Sequence, residues 1–280
     1  KTTNFLTINA KGIKEGDFTM VYGFPGTTQN YISSYQLAQI QNIIDPIRIQ
    51  ARTLRLEAMT KNMNADRAVF LKYTAKRASI ANGWKKWIGE NQGIEKSNAI
   101  EKKRELETAF SKIVEEKDLV DYETLLSDFE KLYKEIEGVS LARDYWMEVA
   151  YRNVELLGIT FRAFQLEQAY LKGGEQAFEK AKSATLNRLE GIYKNYSVIV
   201  DEPVFKNLMN LYAEKMPKEY LPSNMKGVDY NAIGINIYKT SKLTSLSGAE
   251  ELLSGTPEEV FKKLNEDSAY AFGKKIHTTF

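Results

Sequence analysis

Residues 45–96 read DPIRIQARTLRLEAMTKNMNADRAVFLKYTAKRASIANGWKKWIGENQGIEK, and two helix starts divide this stretch. Asp45-Pro46 places an acceptor for amide hydrogen bonds directly before a proline, which is typical of the first turn of a helix. Asp66 begins a longer apolar series at the helical spacing of about 3.6 residues. That series comprises Val69, Phe70, Tyr73, Ala81, Trp84 and Trp87. The stretch therefore predicts two long, successive amphipathic helices.

Helix signals continue from about residue 34 nearly to the end of the chain. Apolar spacing predicts further helices over residues 121–137, 140–171, 175–196 and 201–216. Gly138 and Gly173-Gly174 are expected to end two of them, and Ser140 to begin the 140–171 helix. Thr256, followed by Pro257 and Glu259, has the pattern of a capping box. The fold class predicted from these signals is mainly α, a multi-helix bundle-like domain.

The first thirty residues follow a different pattern. Residues 5–8 form a short β-like run, and residues 17–22 (DFTMVY) place Phe18, Met20 and Tyr22 on one face, before a GFPG turn. Because two strands alone do not make a stable sheet in water, this β-hairpin must pack on the helices or belong to a larger sheet. We predict strands within residues 1–30 and a helical domain over residues 31–280.

Composition excludes several classes of function. The chain has 39 Lys and Arg against 37 Asp and Glu, and this near balance argues against a dedicated nucleic-acid binder. Cysteine is absent and histidine occurs once, so disulfide scaffolds, thiol nucleophiles and cysteine or multi-histidine zinc sites are impossible within it. No apolar run approaches the ~20 residues needed to span a membrane. We predict no metal site and no cofactor.

The single histidine, His277, lies three residues from the C-terminus. A Ser-His-Asp triad inside the chain would have to use it, and chain ends are poor places for a rigid base because they fray. His277 is therefore predicted to be a solvated tail residue. We predict no catalytic residue in this chain.

The stretch 73–91 (YTAKRASIANGWKKWIGEN) breaks local rules. Asn82 and Gly83 stand in the middle of a predicted helix, where each costs up to ~1 kcal/mol relative to alanine. Such violations occur at functional or strained positions. One interpretation is purely structural: Gly83 permits close contact between helices, and Trp84 and Trp87 fill the core. For Asn82, composition alone leaves a functional role and a structural role, such as a helix kink that shapes the core around Trp84, equally open.

The order of several segments resembles a known family. Residues 11–27 (KGIKEGDFTMVYGFPGT) are similar to the strand pair and GYPG-type turn of the bacterial serine dipeptidyl-peptidases seven and eleven. The similarity continues through residues 48–82 (RIQARTLRLEAMTKNMNADRAVFLKYTAKRASIAN) and the WKKW sequence at 84–87. It covers essentially the whole chain, is strongest over residues 11–95, and rests mainly on helical pattern beyond about Leu119.

The resemblance implies a chymotrypsin-like double β-barrel with an inserted α-helical domain. Residues 1–30 would then be barrel strands, and residues 31–280 the helical domain that caps the active-site cleft, in a periplasmic enzyme that releases dipeptides from the free amino end of peptides. The nucleophile, base and orienting aspartate would lie outside this segment, and a homodimer is compatible. In such enzymes an asparagine of the helical domain binds the substrate's ammonium group, and the ASIAN sequence assigns that role to Asn82.

Two other functions fit the same residues. The chain could be a non-enzymatic helical interaction domain in which residues 1–30 form a docking hairpin. It could also be a periplasmic module that captures peptides or carbohydrates. Extending the reading frame upstream and downstream distinguishes these two functions from the peptidase. The peptidase requires a histidine upstream and a Gly-x-Ser-Gly nucleophile downstream.

Overall fold

The computed structural model describes residues 3, 7–20, 22–23, 26, 29–222 and 225–279. It divides the chain into two compact units, Lys1–Ile32 and Ser33–Phe280. Only the larger unit contains helices among these residues.

In the smaller unit, the described residues form no strand. The backbone N–H of Asp17 donates to the carbonyl of Lys14 at 3.2 Å, and Gly16 takes a φ of 91° in this turn. Phe18 and Met20 are exposed. The strand predicted at residues 17–22 is therefore absent from the described part of that segment, because a strand needs ladder hydrogen bonds from a neighbour. Of the first predicted strand, residues 5–8, Phe5 and Leu6 lie outside the described residues, while Thr7 and Ile8 are in no strand.

The larger unit is a succession of helices, and the mainly α prediction is confirmed. In chain order they are α1 Ser34–Gln39, a first π-helical segment Ile40–Ile44, α2 Asp45–Ala65, α3 Arg67–Lys96, α4 Ala99–Glu116, α5 Leu125–Glu135, α6 Glu137–Tyr145, a second π-helical segment Trp146–Asn153, α7 Glu155–Tyr193, α8 Val198–Lys215, α9 Tyr230–Thr240, α10 Leu246–Leu252, α11 Pro257–Glu266 and α12 Ser268–His277. Short 3₁₀ turns occur at Val120–Tyr122 and Lys242–Thr244. No helix within the described ranges is both long enough and apolar enough to cross a bilayer.

Local capping explains where several helices begin. The Asp66 carboxylate accepts from the backbone N–H of Ala68 and Val69 and starts α3, as predicted. Thr256 forms the predicted capping box with Glu259 at the start of α11. Both signals lie within one turn of the residues that they cap, which is why sequence alone identifies them.

One continuous core joins α2, α3, α7, α8 and α12. Its largest fully buried side chains include one from each of these helices: Met59, Tyr73, Phe178, Phe205 and Tyr270. Burying a side chain of this size contributes about 1.5–3 kcal/mol. The hairpin of α2 and α3 is thereby fixed to the rest of the domain.

The predicted helix over residues 140–171 is wrong in detail. Ser140 is buried inside α6 instead of capping a helix, and Gly138 lies within α6 instead of ending one. Val154 is extended, with φ −93° and ψ 110°, and separates the second π-helical segment from α7. The predicted break at Gly173-Gly174 does occur, since Gly174 bends α7 with φ 64° and ψ −157°, a conformation that glycine adopts without steric cost.

Candidate functional site

Asn82 lies on the outward face of α3. The helix runs from Arg67 to Lys96 without an irregular residue, so Asn82 does not kink it. The Asn82 side chain is exposed and hydrogen-bonds to none of the described residues. It is therefore a free amide group that faces away from the core.

The outward face of α3 around Asn82 includes four small residues, together with the exposed Leu71 and Lys86. Ala75, Ala78, Gly89 and Gly93 are all exposed on this face, which follows from the turn of about 100° per residue. A Cβ atom built on Gly89 or Gly93 would meet nothing within 4 Å. Exposed glycine inside a helix costs about 1 kcal/mol relative to alanine, so these residues leave the helix backbone open to close approach at some expense in stability.

Two cavities flank the ridge that carries Asn82. One is a groove of about 580 Å³ between α2 and α3, whose lining includes Leu56, Glu57, Arg77, Ala81, Trp84 and Lys85. The other, of about 450 Å³, is lined by residues that include Ser79. Ser79 and Lys85 each stand three residues from Asn82, so they project about 60° to either side of it. Asn82 thus separates an amphipathic groove from a polar cavity.

Gly83 makes room for Arg52 of α2. A Cβ atom on Gly83 would stand 2.6 Å from Arg52 Nη1. The Arg52 guanidinium lies 4.3 Å from the ring centroid of Trp87 and donates to the carbonyl of Ile80 at 3.5 Å. Its Nε donates to the buried Glu148 at 3.0 Å. The glycine in the Asn-Gly-Trp sequence therefore leaves room for the guanidinium of Arg52, which crosses from α2 to α3.

The tryptophans take the structural role considered for them. Trp87 is buried and lies under Arg52, while the half-buried Trp84 donates from Nε1 to Thr53 Oγ1 at 2.9 Å. Trp84 also lines the groove. Asn82 and Gly83 both disfavour a helix, but packing explains only one of them. Gly83 makes room for Arg52, and the tryptophans fill the core, whereas Asn82 takes no part in this packing.

Gly83→Ala is expected to destabilise the fold by about 1–3 kcal/mol, because the added methyl group displaces the Arg52 guanidinium from a packed site. Gly89→Ala, in open space on the same helix, is expected to stabilise it by about 0.5–1 kcal/mol. Urea denaturation of both variants measures the difference. Equal stabilisation by both substitutions would contradict the role given to Gly83.

A buried carboxyl group at the start of α2 lacks the partners predicted for it. The Asp45 backbone N–H already bonds to the carbonyl of Ile40, since α2 continues from the first π-helical segment. Asp45 therefore caps no helix end, and neither of its buried side-chain oxygens has a hydrogen-bond partner. Arg48 Nη1 is 3.8 Å away. Burial, reinforced by repulsion from Glu90, raises the pKa of Asp45 from 3.8 to about 7.

This pKa makes stability depend on pH. Between about pH 4 and pH 7 folded Asp45 keeps a proton that the unfolded chain loses, so its contribution falls as the pH rises through this window. Asp45→Asn is therefore expected to raise the free energy of unfolding by about 1–2 kcal/mol at pH 8 and to have no benefit near pH 4. The new amide also lacks partners, which offsets part of the gain. Denaturation at both pH values tests this, and an equal gain at pH 4 and pH 8 would contradict it.

His277 is buried, which corrects the prediction of a solvated tail residue. Its Nε2 lies 3.1 Å from Thr160 Oγ1 and 3.2 Å from the carbonyl of Leu157, and the ring of Phe161 packs against it at 5.0 Å between centroids. Burial lowers its pKa to about 4. α12 anchors the end of the chain against α7, so the distance from the terminus did not determine exposure.

The Thr160–His277 pair is not arranged as a nucleophile and base. Both residues are buried, the Thr160 hydroxyl donates to the carbonyl of Leu157 at 2.8 Å, and His277 Nδ1 has no partner to orient it. In the part of the chain that the structure describes, no group of three His, Asp or Glu side chains is arranged to hold a metal ion.

Sequence reasoning missed the arginines of α2. Arg48, Arg52 and Arg55 recur at helical spacing on the side of α2 that faces Asp144, Glu148 and Glu155, their ion-pair partners. Three arginines at positions i, i+4 and i+7 of one helix are a detectable signal. Their acidic partners lie about a hundred residues away in the sequence, so the ion pairs themselves could not be detected from the sequence.

Comparison with known proteins identifies relatives over the full length of the chain. The family profile described as Peptidase S46 matches residues 1–280. The chain is 41% identical over 274 residues to the Asp/Glu-specific dipeptidyl-peptidase of Flavobacterium psychrophilum, which covers 98% of this chain and 38% of that protein. It is 30% identical over 228 residues to the dipeptidyl-peptidase 7 of Phocaeicola vulgatus, covering 80% of the chain and 31% of that protein.

A solved structure has the same fold. The crystal structure of Porphyromonas endodontalis DPP11 in complex with the dipeptide Arg-Glu matches with a TM-score of 0.72 and 23% identity, covering 99% of this chain and 40% of that one. The chain thus spans well under half the length of the proteins that it matches.

Proposed function

This chain belongs to the Peptidase S46 family, and from that premise we propose that it is the helical substrate-gating part of a serine dipeptidyl-peptidase. In this proposal residues 31–280 cap the cleft of a double β-barrel, to which residues 1–30 contribute strands. The enzyme releases dipeptides from the free amino end of peptides. The family resemblance also implies a periplasmic location and permits a homodimer.

The position of Asn82 carries the proposal. An exopeptidase must bind a terminal ammonium group, and a neutral amide oxygen accepts its hydrogen bonds without placing a fixed counter-charge in the cleft. Asn82 offers an unengaged amide on an outward face that includes several small residues, with a cavity on each side. We assign the ammonium to the Asn82 side-chain oxygen and the peptide backbone to the open surface around it.

The catalytic triad is proposed to lie outside the chain. The environment of His277 supports this, because a base with a pKa of about 4, enclosed by aromatic rings, cannot take a proton from a serine hydroxyl at neutral pH. The dipeptidyl-peptidase names of relatives at 30–41% identity support the reaction. The Asp/Glu-specific name of the relative at 41% identity supports peptides with acidic residues as substrates.

One feature favours the alternative of an interaction domain. α4, α5 and the residue that follows α5 expose apolar side chains to solvent, among them Leu106, Ile113, Phe129, Leu132 and Ile136. An exposed apolar surface of this kind is typical of a protein contact. It is compatible with contact to the rest of the same protein or with a homodimer, so it does not exclude the peptidase.

Peptide cleavage by the full-length protein tests the proposal. Mass spectrometry should detect dipeptides released from a peptide with a free amino end, and little product from the same peptide when it is acetylated. The 280-residue chain alone should cleave neither peptide. A full-length protein that leaves both peptides intact, or turnover by the 280-residue chain that His277→Ala abolishes, would contradict the proposal.

A further inference from the structure

The cavity on the Ser79 side of Asn82 is rich in cations. It lies between α2, α3 and the second π-helical segment, and its volume of about 450 Å³ is large enough for a side chain of a ligand. Its polar lining residues are Arg52, Arg55, Lys76, Ser79, Arg152 and Asn153. No carboxylate is among the residues that line it.

Two carboxylates behind the cavity wall pair with these cations. Glu148 accepts from Arg52, and Glu155 accepts from Lys76 at 2.5 Å. The four cationic lining residues and these two anions leave two positive charges in excess. The Asp201 carboxylate, beyond Glu155, accepts from the backbone N–H groups at the start of α7 and lowers this excess to one where it is ionised. The cavity therefore presents positive charge to whatever enters it.

Arg152 and Ser79 carry hydrogen-bond donors that are available to a ligand. The Arg152 side chain is 48% exposed, and its only described partner is Glu148, whose oxygen is 3.5 Å from Nη1. The Ser79 hydroxyl is exposed and hydrogen-bonds to none of the described residues. By contrast, Arg52 and Arg55 are held by protein acceptors. A ligand in the cavity would therefore meet the planar donor fork of Arg152, a geometry that suits carboxylates.

We propose that this cavity binds the side-chain carboxylate of the first residue of a peptide whose ammonium group is held at Asn82. Ser79, at the cavity lip, is three residues from Asn82, a rise of about 4.5 Å along α3. A glutamate carries its side-chain carboxylate on the order of 5 Å from its own α-amino nitrogen. This length is comparable to the rise, so a first residue held at Asn82 can extend its side chain past Ser79 into the cavity. This inference rests on the proposed function and adds a specificity determinant for the first residue.

The test compares isosteric substrates on the full-length enzyme. Two fluorogenic peptides without a free carboxyl terminus differ only in Glu or Gln at the first position. Arg152→Gln should lower kcat/KM for the Glu-first peptide by about three- to tenfold and leave that for the Gln-first peptide unchanged. Arg152→Lys should retain most of the preference. Arg152→Glu should invert it, so that a Lys-first peptide becomes the better substrate.

Controls separate this site from other causes. Arg188→Gln removes an exposed arginine of α7 that does not line the cavity and should change neither peptide. A second pair of peptides with Glu or Gln at the second position should respond equally to Arg152→Gln. The Glu-to-Gln ratio should fall as salt is added, because Arg152 is partly solvated.

Equal loss for the Glu-first and Gln-first peptides would overturn the proposal in favour of a structural role for Arg152, and no loss for either would also overturn it. Failure of the proposed function looks different, since wild-type enzyme would then release dipeptides from none of the peptides. Release with an unchanged Glu-to-Gln ratio in all Arg152 variants removes this inference and leaves the proposed function intact.

Discussion

Replacing Asp201 by alanine is expected to lower the free energy of unfolding by about 3–5 kcal/mol, because several donors lose their acceptor at about 1–3 kcal/mol each. The Asp201 carboxylate is buried in α8 and accepts from the backbone N–H groups of Glu155 and Leu156, both at 2.8 Å. It also accepts from Tyr238 at 2.6 Å and from Tyr196 at 3.4 Å. Alanine would leave these four donors without this acceptor, and each unsatisfied buried donor is costly. Removal of the repulsion between Asp201 and Glu155 offsets part of this loss.

A conventional helix cap gives the matched control. Asp229 is exposed and accepts from the N–H groups of Asn231 and Ala232 at the start of α9. Asp229→Ala should cost only about 1 kcal/mol, since water can replace the lost acceptor. Urea denaturation of the two variants at pH 7 measures the contrast. Equal losses would mean that Asp201 acts as an ordinary cap and does not fix α7 to α8.

Asn82→Ala in the full-length enzyme is expected to lower kcat/KM by about 10- to 150-fold for peptides with a free amino end. A hydrogen bond to a charged group is worth roughly 1.5–3 kcal/mol, and about 1.4 kcal/mol corresponds to a factor of ten. The residual turnover of peptides blocked at the amino end should change little, because they lack the charged donor. Steady-state kinetics on paired free and acetylated peptides provide the measurement.

Stability separates binding from folding in this experiment. Asn82 is exposed and alanine is the better helix former, so Asn82→Ala should slightly stabilise the protein. Gln92→Ala removes another exposed amide from α3 and should not alter the kinetics. Asn82→Asp should bind the ammonium more tightly yet gain little in kcat, because equal stabilisation of ground and transition states does not lower the barrier. Unchanged kcat/KM in Asn82→Ala would reject the ammonium role.

Structural features that depend on residues within one or two helical turns could be predicted from the sequence. The starts at Asp66 and Thr256 and the bend at Gly173-Gly174 depend on neighbouring residues, and the structure contains all three. The apolar spacing likewise specified helices over most of residues 34–277. The anomaly at Asn82-Gly83 was visible for the same reason, since both residues disfavour the helix that surrounds them.

Long-range contacts decided the rest. Asp45 and Asp201 both stand near the beginning of a helix, yet Asp45 caps nothing and Asp201 caps α7, some 45 residues earlier in the chain. His277 is buried because α12 packs on α7, although its position near the terminus predicted exposure. Local sequence does not determine which distant segment packs against a given residue.

The candidate site shows the same division. The sequence by itself determined that Asn82 interrupts a run of good helix formers, and the resemblance gave it a role. Only the tertiary structure decided that Asn82 faces outward, that Gly83 admits Arg52, and that a cationic cavity lies beside them. The physical reason is that helix propensity is set by each residue and its nearest neighbours, whereas burial and charge pairing are set by segments that folding brings together.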